Sequence, residues 1–130
     1  TRRQLRQFFV DNQTIEKEAI SDLDKGFVSR FKSLVEERMK DAELNVEDLG
    51  RNMGMSRVQL YRKLKSLTNY SPNELLRQMR LKKAASLLAS SDMTVAEIAY
   101  EVGFSSPSYF TKCYKEQFGE SPTEFLKRRG

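Results

Sequence analysis

The residues best equipped for chemistry are basic, hydroxyl and aromatic side chains that recur on two similar segments. At 100° per residue from Leu60, the side of a helix opposite its apolar residues carries Val58, Tyr61, Arg62 and Lys65. The same construction from Phe110 places Ser108, Thr111, Lys112 and Lys115 on the outward side. Each segment thus presents one long cation in the middle of a helix and another one turn later.

This arrangement suits a helix that shows its outward face to a DNA major groove, which admits one α-helix. Arg62 or Lys112 could donate to guanine O6 and N7, and Val58 could meet a thymine methyl group. The later lysines, Lys65 and Lys115, suit phosphate contacts, which position a protein without specifying sequence. A solvated helix surface is the competing interpretation.

Catalytic chemistry has little support in the sequence. Histidine is absent, and Cys113 is the single cysteine, which excludes an internal disulfide and a cysteine-based zinc site. No glycine-rich phosphate loop accompanies them, so no catalytic constellation can be assembled. We therefore expect no enzyme activity, no cofactor and no metal, and we interpret Cys113 as a small packing residue.

The charge distribution points to a polyanionic partner. The chain has 130 residues, 32% of them charged, and a net charge of +5, all of which lies within residues 45–130. Eight basic residues against Glu74 alone lie between Gly54 and Lys83, which suits nucleic acid, although charge alone fits a solvated surface equally well. No apolar run approaches the ~20 residues of a membrane span, so we expect no membrane contact by this segment.

Helical periodicity dominates the chain, and one unit of it is repeated. We predict a helix capped by Asp22 or Asp24, and further helices over about 45–53, 56–67, 72–89, 94–102 and 106–118, with a last short one from 121. Residues 46–56 align with 95–105, and residues 60–77 align with 110–127.

The repeat predicts an all-α fold of two helix-turn-helix subdomains joined by a long linker helix. The subdomains are expected at about 46–67 and 95–118, with the linker helix at about 73–89. Gly50 and Ala99 would allow the two helices of each unit to cross closely. Gly54 and Gly103 would supply the left-handed residue of each turn.

These motifs resemble the AraC/XylS family of bacterial transcription regulators over about residues 27–130. The second unit, VAEIAYEVGFSSPSYFTKCYKEQFGESPTEFL, matches that family's signature region, and VEDLGRNMGMSRVQLYRKLKSLTNYSPNELL and RLKKAASLL match as well. The resemblance implies a seven-helix DNA-binding domain whose two recognition helices enter successive major-groove segments. It places Arg57, Val58, Tyr61 and Arg62 of the first recognition helix, about 56–67, toward DNA.

For the second recognition helix, about 106–117, the resemblance places four residues toward DNA and Lys115 near a phosphate. The four are Pro107, Ser108, Thr111 and Lys112. Pro107 stands where some members have a polar residue, and its first-turn position is typical of a residue that starts a helix. Two readers of one DNA face predict two recognised segments with ~10 bp between their centres.

The segment MGMSRVQLYRKLKSLTNYSPNELLR is similar to the C-terminal output domain of Bacteroidetes-type hybrid two-component regulators. This similarity implies a response regulator output domain, with residues 1–26 as a linker from an upstream receiver domain, and the opening residue Thr1 suits a fragment of a longer protein. Promoter DNA and RNA polymerase are the implied partners, with activation, often of carbohydrate-utilisation genes, as the usual outcome. A cytoplasmic location, anchoring of the full-length protein in the inner membrane and a homodimer formed through missing upstream domains are further expectations.

Two other classes of binding function stay open on the residues alone. Basic helices allow an RNA-binding module, although the clustered exposed aromatic residues that stack single-stranded bases are lacking. A protein-interaction module would leave the matched outward cations unexplained. Arg2, Arg3 and Arg6 could form a minor-groove arm, but a plain linker is the favoured interpretation.

Overall fold

The computed structural model describes residues 21–130 of the chain. The basic triad Arg2, Arg3 and Arg6, and most of the predicted 1–26 linker, lie outside the described residues. Within residues 21–130 every regular element is an α-helix. No helix in that range is long and apolar enough to cross a membrane.

Seven helices succeed one another in the described part of the chain. They are α1 (Asp22–Arg38), α2 (Val46–Asn52), α3 (Arg57–Thr68), α4 (Pro72–Ser90), α5 (Val95–Glu101), α6 (Pro107–Phe118) and α7 (Pro122–Arg129). The predicted all-α fold of two helix-turn-helix subdomains, α2–α3 and α5–α6, joined by the long helix α4 is confirmed. Helix α1 includes residues 22–26, which the sequence analysis assigned to the linker, so that domain boundary stays a prediction.

Side-chain caps account for where these helices begin. Thr94 and Ser121 each accept a hydrogen bond from the backbone N–H three residues later, and the glutamate there bonds back. Helix α1 differs from the prediction, because its cap is Ser21 and neither Asp22 nor Asp24. Ser21 Oγ accepts a hydrogen bond from the Asp24 N–H at 3.2 Å. The two aspartates instead lie in the first turn, where negative charge favours the helix dipole.

Glycines make the turn of each helix-turn-helix unit possible, as predicted. Gly54 and Gly103 follow α2 and α5 with φ of +70° and +99°. Gly50 is buried where α2 crosses the turn, and a Cβ there would lie 2.8 Å from the Met55 carbonyl oxygen. The equivalent position in the second unit is Ala99, which is fully buried.

The first of two structural units comprises α1, α2, α3 and the start of α4, within residues 21–38 and 44–76. Its core is built from apolar residues of all four helices, mainly Val28, Phe31, Val35, Leu49, Leu60, Leu64 and Leu75. Thr68 is buried with them, and its hydroxyl donates to the Leu64 carbonyl oxygen at 2.8 Å while accepting the Tyr70 N–H. Because its polar group is satisfied, Thr68 can end α3 inside the core.

The second unit comprises residues 39–43 and 77–130, and so holds most of α4 with α5, α6 and α7. Its buried residues include Leu81, Ala84, Leu88, Ile98, Val102, Phe104, Phe110 and Tyr114. Phe104, in the turn, packs edge-on against Phe110 of α6 with ring centroids 5.3 Å apart. This contact anchors α6 to the turn that precedes it.

Candidate nucleic-acid interface

Helix α3 divides cleanly into a buried side and an exposed side. Leu60 and Leu64 have no exposed surface, whereas Val58 is 56% exposed and Tyr61 47%. Large apolar side chains are normally covered in a protein of this size, so two of them side by side on one helix face indicate a surface that meets a partner. The outward face predicted from helical spacing is therefore present.

The basic residues of α3 fall into two groups that the sequence did not distinguish. Arg62 and Lys65 are exposed on the same side as Tyr61 and have no ion-pair partner within residues 21–130. Lys63 points to the other flank, where its Nζ lies 3.8 Å from an Asp24 carboxylate oxygen and 4.9 Å from the centre of the Phe27 ring. Lys63 therefore helps to hold α1, while Arg62 and Lys65 can meet a partner.

Arg57 lies at the start of α3 beside an open cavity of about 260 Å³. The remaining lining residues are Asn45, Val46, Glu47 and Asn73. Ser56 caps the helix immediately before Arg57, and Gln59 returns a hydrogen bond to the Ser56 N–H at 2.8 Å. The arginine therefore projects from a fixed helix start.

Helix α6 shows the same division with smaller outward side chains. Phe110 is fully buried and Tyr114 nearly so, while Ser108, Lys112 and Lys115 are exposed. Lys112 has no ion-pair partner in the described chain. Thr111 is half-buried, so it offers less surface than its counterpart Tyr61.

Pro107 is the first residue of α6, and Ser106 before it caps the helix. Proline fits this position because its ring presets the helical φ and the missing N–H would have no intrahelical partner. It is half-buried. The structure thus gives Pro107 a role in starting the helix, and contact with DNA at this position stays a prediction.

Tyr109 is an exposed residue of α6 that the sequence analysis did not assign to the site. It is 51% exposed and lies 60° around the helix from Lys112 at 100° per residue. A hydrogen bond with the Cys113 thiol is the main cause that raises the pKa of Tyr109, so the phenol is neutral at pH 7. Cys113 itself is buried, as expected of a packing residue.

The basic cluster between Gly54 and Lys83 is less available than its composition suggests. Besides Lys63, Arg80 is committed within the protein, since it donates to the backbone carbonyls of Met39 and Asp41. Burial lowers the pKa of Arg80, with an opposing effect from the Asp41 charge. Sequence counting could not separate these two cations from the free ones, because their partners lie about 40 residues away in the chain.

A family profile described as a helix-turn-helix domain matches residues 49–128. The chain is 37% identical over 109 residues to histidine kinase P4 of Formosa agariphila, a match that covers 84% of this chain. It spans 8% of that relative's length and about a third of the length of other curated relatives that it matches.

Two solved structures share the fold. The C-terminal domain of AraT, a response regulator from Geobacillus stearothermophilus, has a TM-score of 0.74 and 28% identity, covering 85% of this chain and 88% of that one. The DNA-binding domain of AdpA, a global transcriptional factor solved in complex with a target DNA, has a TM-score of 0.72 and 30% identity. That match covers 77% of this chain and 89% of the AdpA chain.

Proposed function

The chain belongs to the AraC/XylS family of helix-turn-helix, DNA-binding transcription regulators, and from that premise we propose that it reads a bipartite promoter sequence through α3 and α6. Each helix lies in one major-groove segment of the same DNA face. The two segments have their centres ~10 bp apart, as for other paired recognition helices.

A single observation carries this proposal: both helices expose the same kind of face. In α3 and in α6 a cation without an intramolecular partner, Arg62 or Lys112, lies mid-helix on the exposed side. A second, Lys65 or Lys115, follows one turn later. An unpaired mid-helix arginine or lysine can donate to guanine in the groove, and the later lysine reaches a phosphate.

The remaining contacts are assigned by chemistry and position. Val58 meets a thymine methyl group and Tyr61 packs beside it. Ser108 and Thr111 donate to or accept from base edges in the second segment. Arg57 and Pro107 lie at the helix starts, where Arg57 contacts DNA and Pro107 touches the backbone.

We further propose that this domain is the output domain of a two-component regulator, with residues 1–26 connecting it to an upstream receiver. The relative named a histidine kinase and the response-regulator domain of AraT support this setting. In it the protein acts in the cytoplasm, dimerises through upstream domains and activates transcription with RNA polymerase. Carbohydrate-utilisation genes are the proposed targets, and the full-length protein would be anchored in the inner membrane.

In vitro selection from randomised duplex DNA at ~150 mM salt tests the reading of sequence, because at this ionic strength non-specific phosphate binding is weak. The expected result is enrichment of two short motifs ~10 bp apart. A double variant, Arg62→Ala with Lys112→Ala, is expected to enrich neither motif.

Two outcomes would contradict the proposal. One is enrichment of no sequence, with binding that disappears as salt rises. The other is better competition by single-stranded RNA than by duplex DNA, which would make this chain an RNA-binding module.

A further inference from the structure

The segment Met39–Glu43, here called the crossing segment, joins α1 to α2 but belongs to the other structural unit. The chain leaves the first unit after Arg38 and re-enters it at Leu44. In between, these five residues are part of the second unit, together with α5 and α6. A connection between two helices of one unit has no local reason to fold into the other.

Arg80, near the middle of α4, holds the crossing segment in place. Its Nε donates to the Met39 carbonyl oxygen at 3.2 Å, and its Nη2 donates to the Asp41 carbonyl oxygen at 2.8 Å. The guanidinium fork suits two neighbouring acceptors, which a lysine ammonium would not bind with the same geometry. Desolvation lowers the pKa of Arg80, so the cation depends on these acceptors for compensation.

The crossing segment also lies directly against the turn of the second helix-turn-helix. A Cβ on Gly103 would be 2.0 Å from the Met39 carbonyl oxygen and 2.7 Å from Arg80 Nε. Lys40 Nζ forms an ion pair with Glu101 Oε1, the last residue of α5, at 3.0 Å. Phe104, next to Gly103, packs on Phe110 of α6. A continuous series of contacts therefore runs from the crossing segment to α6.

We propose that Arg80 is a positioning residue for DNA binding, which ties the second helix-turn-helix to α1 by holding the crossing segment against Gly103. The inference rests on the proposed bipartite reading of DNA. Once one helix of such a pair has bound, the second binds intramolecularly, at an effective concentration set by how firmly the two are connected. Releasing the crossing segment lowers that effective concentration without altering either DNA-facing surface.

The test compares four duplexes built from the selected sequence: both segments intact, either one scrambled, or both scrambled. The coupling factor is the association constant for the intact duplex times that for the doubly scrambled one, divided by the product of the two single-segment constants. A variant that is merely partly unfolded lowers all four constants by the same proportion, so the factor does not change. The coupling factor thus separates a positioning role from a loss of stability.

We expect Arg80→Lys to lower the coupling factor roughly tenfold while the single-segment affinities stay near those of the wild type. Arg129→Lys is the matched control, since Arg129 Nη1 also donates to a distant backbone carbonyl, that of Leu88, at 2.9 Å. This control keeps the wild-type coupling factor. A folded Arg80→Lys variant with wild-type coupling would overturn the inference and leave the proposed function intact.

The exposed ion pair provides a second test that does not depend on the folding of the Arg80 variant. Lys40→Glu places two like charges together and is expected to lower coupling about two- to threefold, a size typical of surface pairs. The double exchange Lys40→Glu with Glu101→Lys restores it. Failure of both effects would overturn the inference, whereas a wild-type chain that selects no sequence would overturn the proposed function and this inference with it.

Discussion

At the residue scale, free cations and committed cations lie side by side on one helix. Arg62 and Lys63 are adjacent in sequence and differ little in chemistry. Yet Lys63 contacts Asp24 and the Phe27 ring, while Arg62 is exposed and unpaired within the described residues. The difference arises because successive residues of a helix point 100° apart, so only one of the two can face α1.

Arg62→Ala is expected to cost ~1–3 kcal/mol of binding at one base position and to relax the preference there. The physical reason is the loss of a two-donor contact to a guanine edge. Competition binding against duplexes with each base changed in turn measures this. An equal loss for every sequence would show that Arg62 touches only phosphate.

Lys63→Ala is the matched control for that experiment. It removes the same charge from the same helix, but from the side that packs on α1. Its ion pair is partly exposed, so the variant should lose well under ~1 kcal/mol of stability. We expect an unchanged order of preference among the duplexes.

At the element scale, the turn of each helix-turn-helix uses glycine for different reasons. Gly54 and Gly103 occupy equivalent positions, and both have positive φ. A Cβ on Gly54 would meet nothing within 4 Å, whereas one on Gly103 would collide with the Met39 carbonyl oxygen. The first turn thus needs glycine for backbone conformation alone, and the second needs it also for space.

Gly103→Ala is therefore expected to destabilise the protein more than Gly54→Ala does. The left-handed conformation alone costs ~1–2 kcal/mol for alanine. Overpacking against backbone adds ~1–3 kcal/mol at Gly103. Urea denaturation of both variants provides the comparison, and equal losses of unfolding free energy would contradict a close approach of the crossing segment to the second turn.

Capping shows how firmly local sequence specifies these elements. The four-residue patterns that begin with Thr94 and Ser121 both form reciprocal caps. At the second, hydrogen bonds from the Ser121 backbone and hydroxyl lower the pKa of the Glu124 carboxyl, with smaller contributions from Lys115 and Lys127. Helix starts of this kind depend only on neighbours, and so they could be predicted without knowledge of the fold.

At the scale of the whole molecule, charge separates one part of the chain from the other. Residues 1–44 carry equal numbers of basic and acidic residues, so the net charge of +5 comes from residues 45–130. Within that part the unpaired cations of α3 and α6 provide the charge available to DNA. Long-range attraction to phosphate should consequently dominate the affinity of this chain.

With about six phosphate contacts, DNA affinity is expected to fall roughly a thousandfold between 50 and 200 mM salt. Lys65→Ala should weaken binding to all sequences alike and make the slope of log affinity against log salt shallower by ~0.9. Titrations of one duplex at several salt concentrations measure both quantities. A Lys65→Ala slope equal to that of the wild type would exclude a phosphate contact at that residue.

The sequence by itself determined the helices, their turns and the outward faces of α3 and α6. Each of these follows from residues within one or two helical turns, and the repeat made the second unit readable from the first. The cap of α1 was wrong because several adjacent polar residues, Ser21, Asp22 and Asp24, can serve as caps. Their relative fit depends on backbone geometry.

Only the tertiary structure decided which cations are available and where the crossing segment belongs. Lys63 meets Asp24, and Arg80 meets Met39 and Asp41, across about 40 residues of chain. Helical periodicity carries no information about partners at that separation, because it reports which face is apolar and not what covers it. Arg80 therefore counts as one more basic residue in the sequence, and as a buried anchor of the second unit in the folded chain.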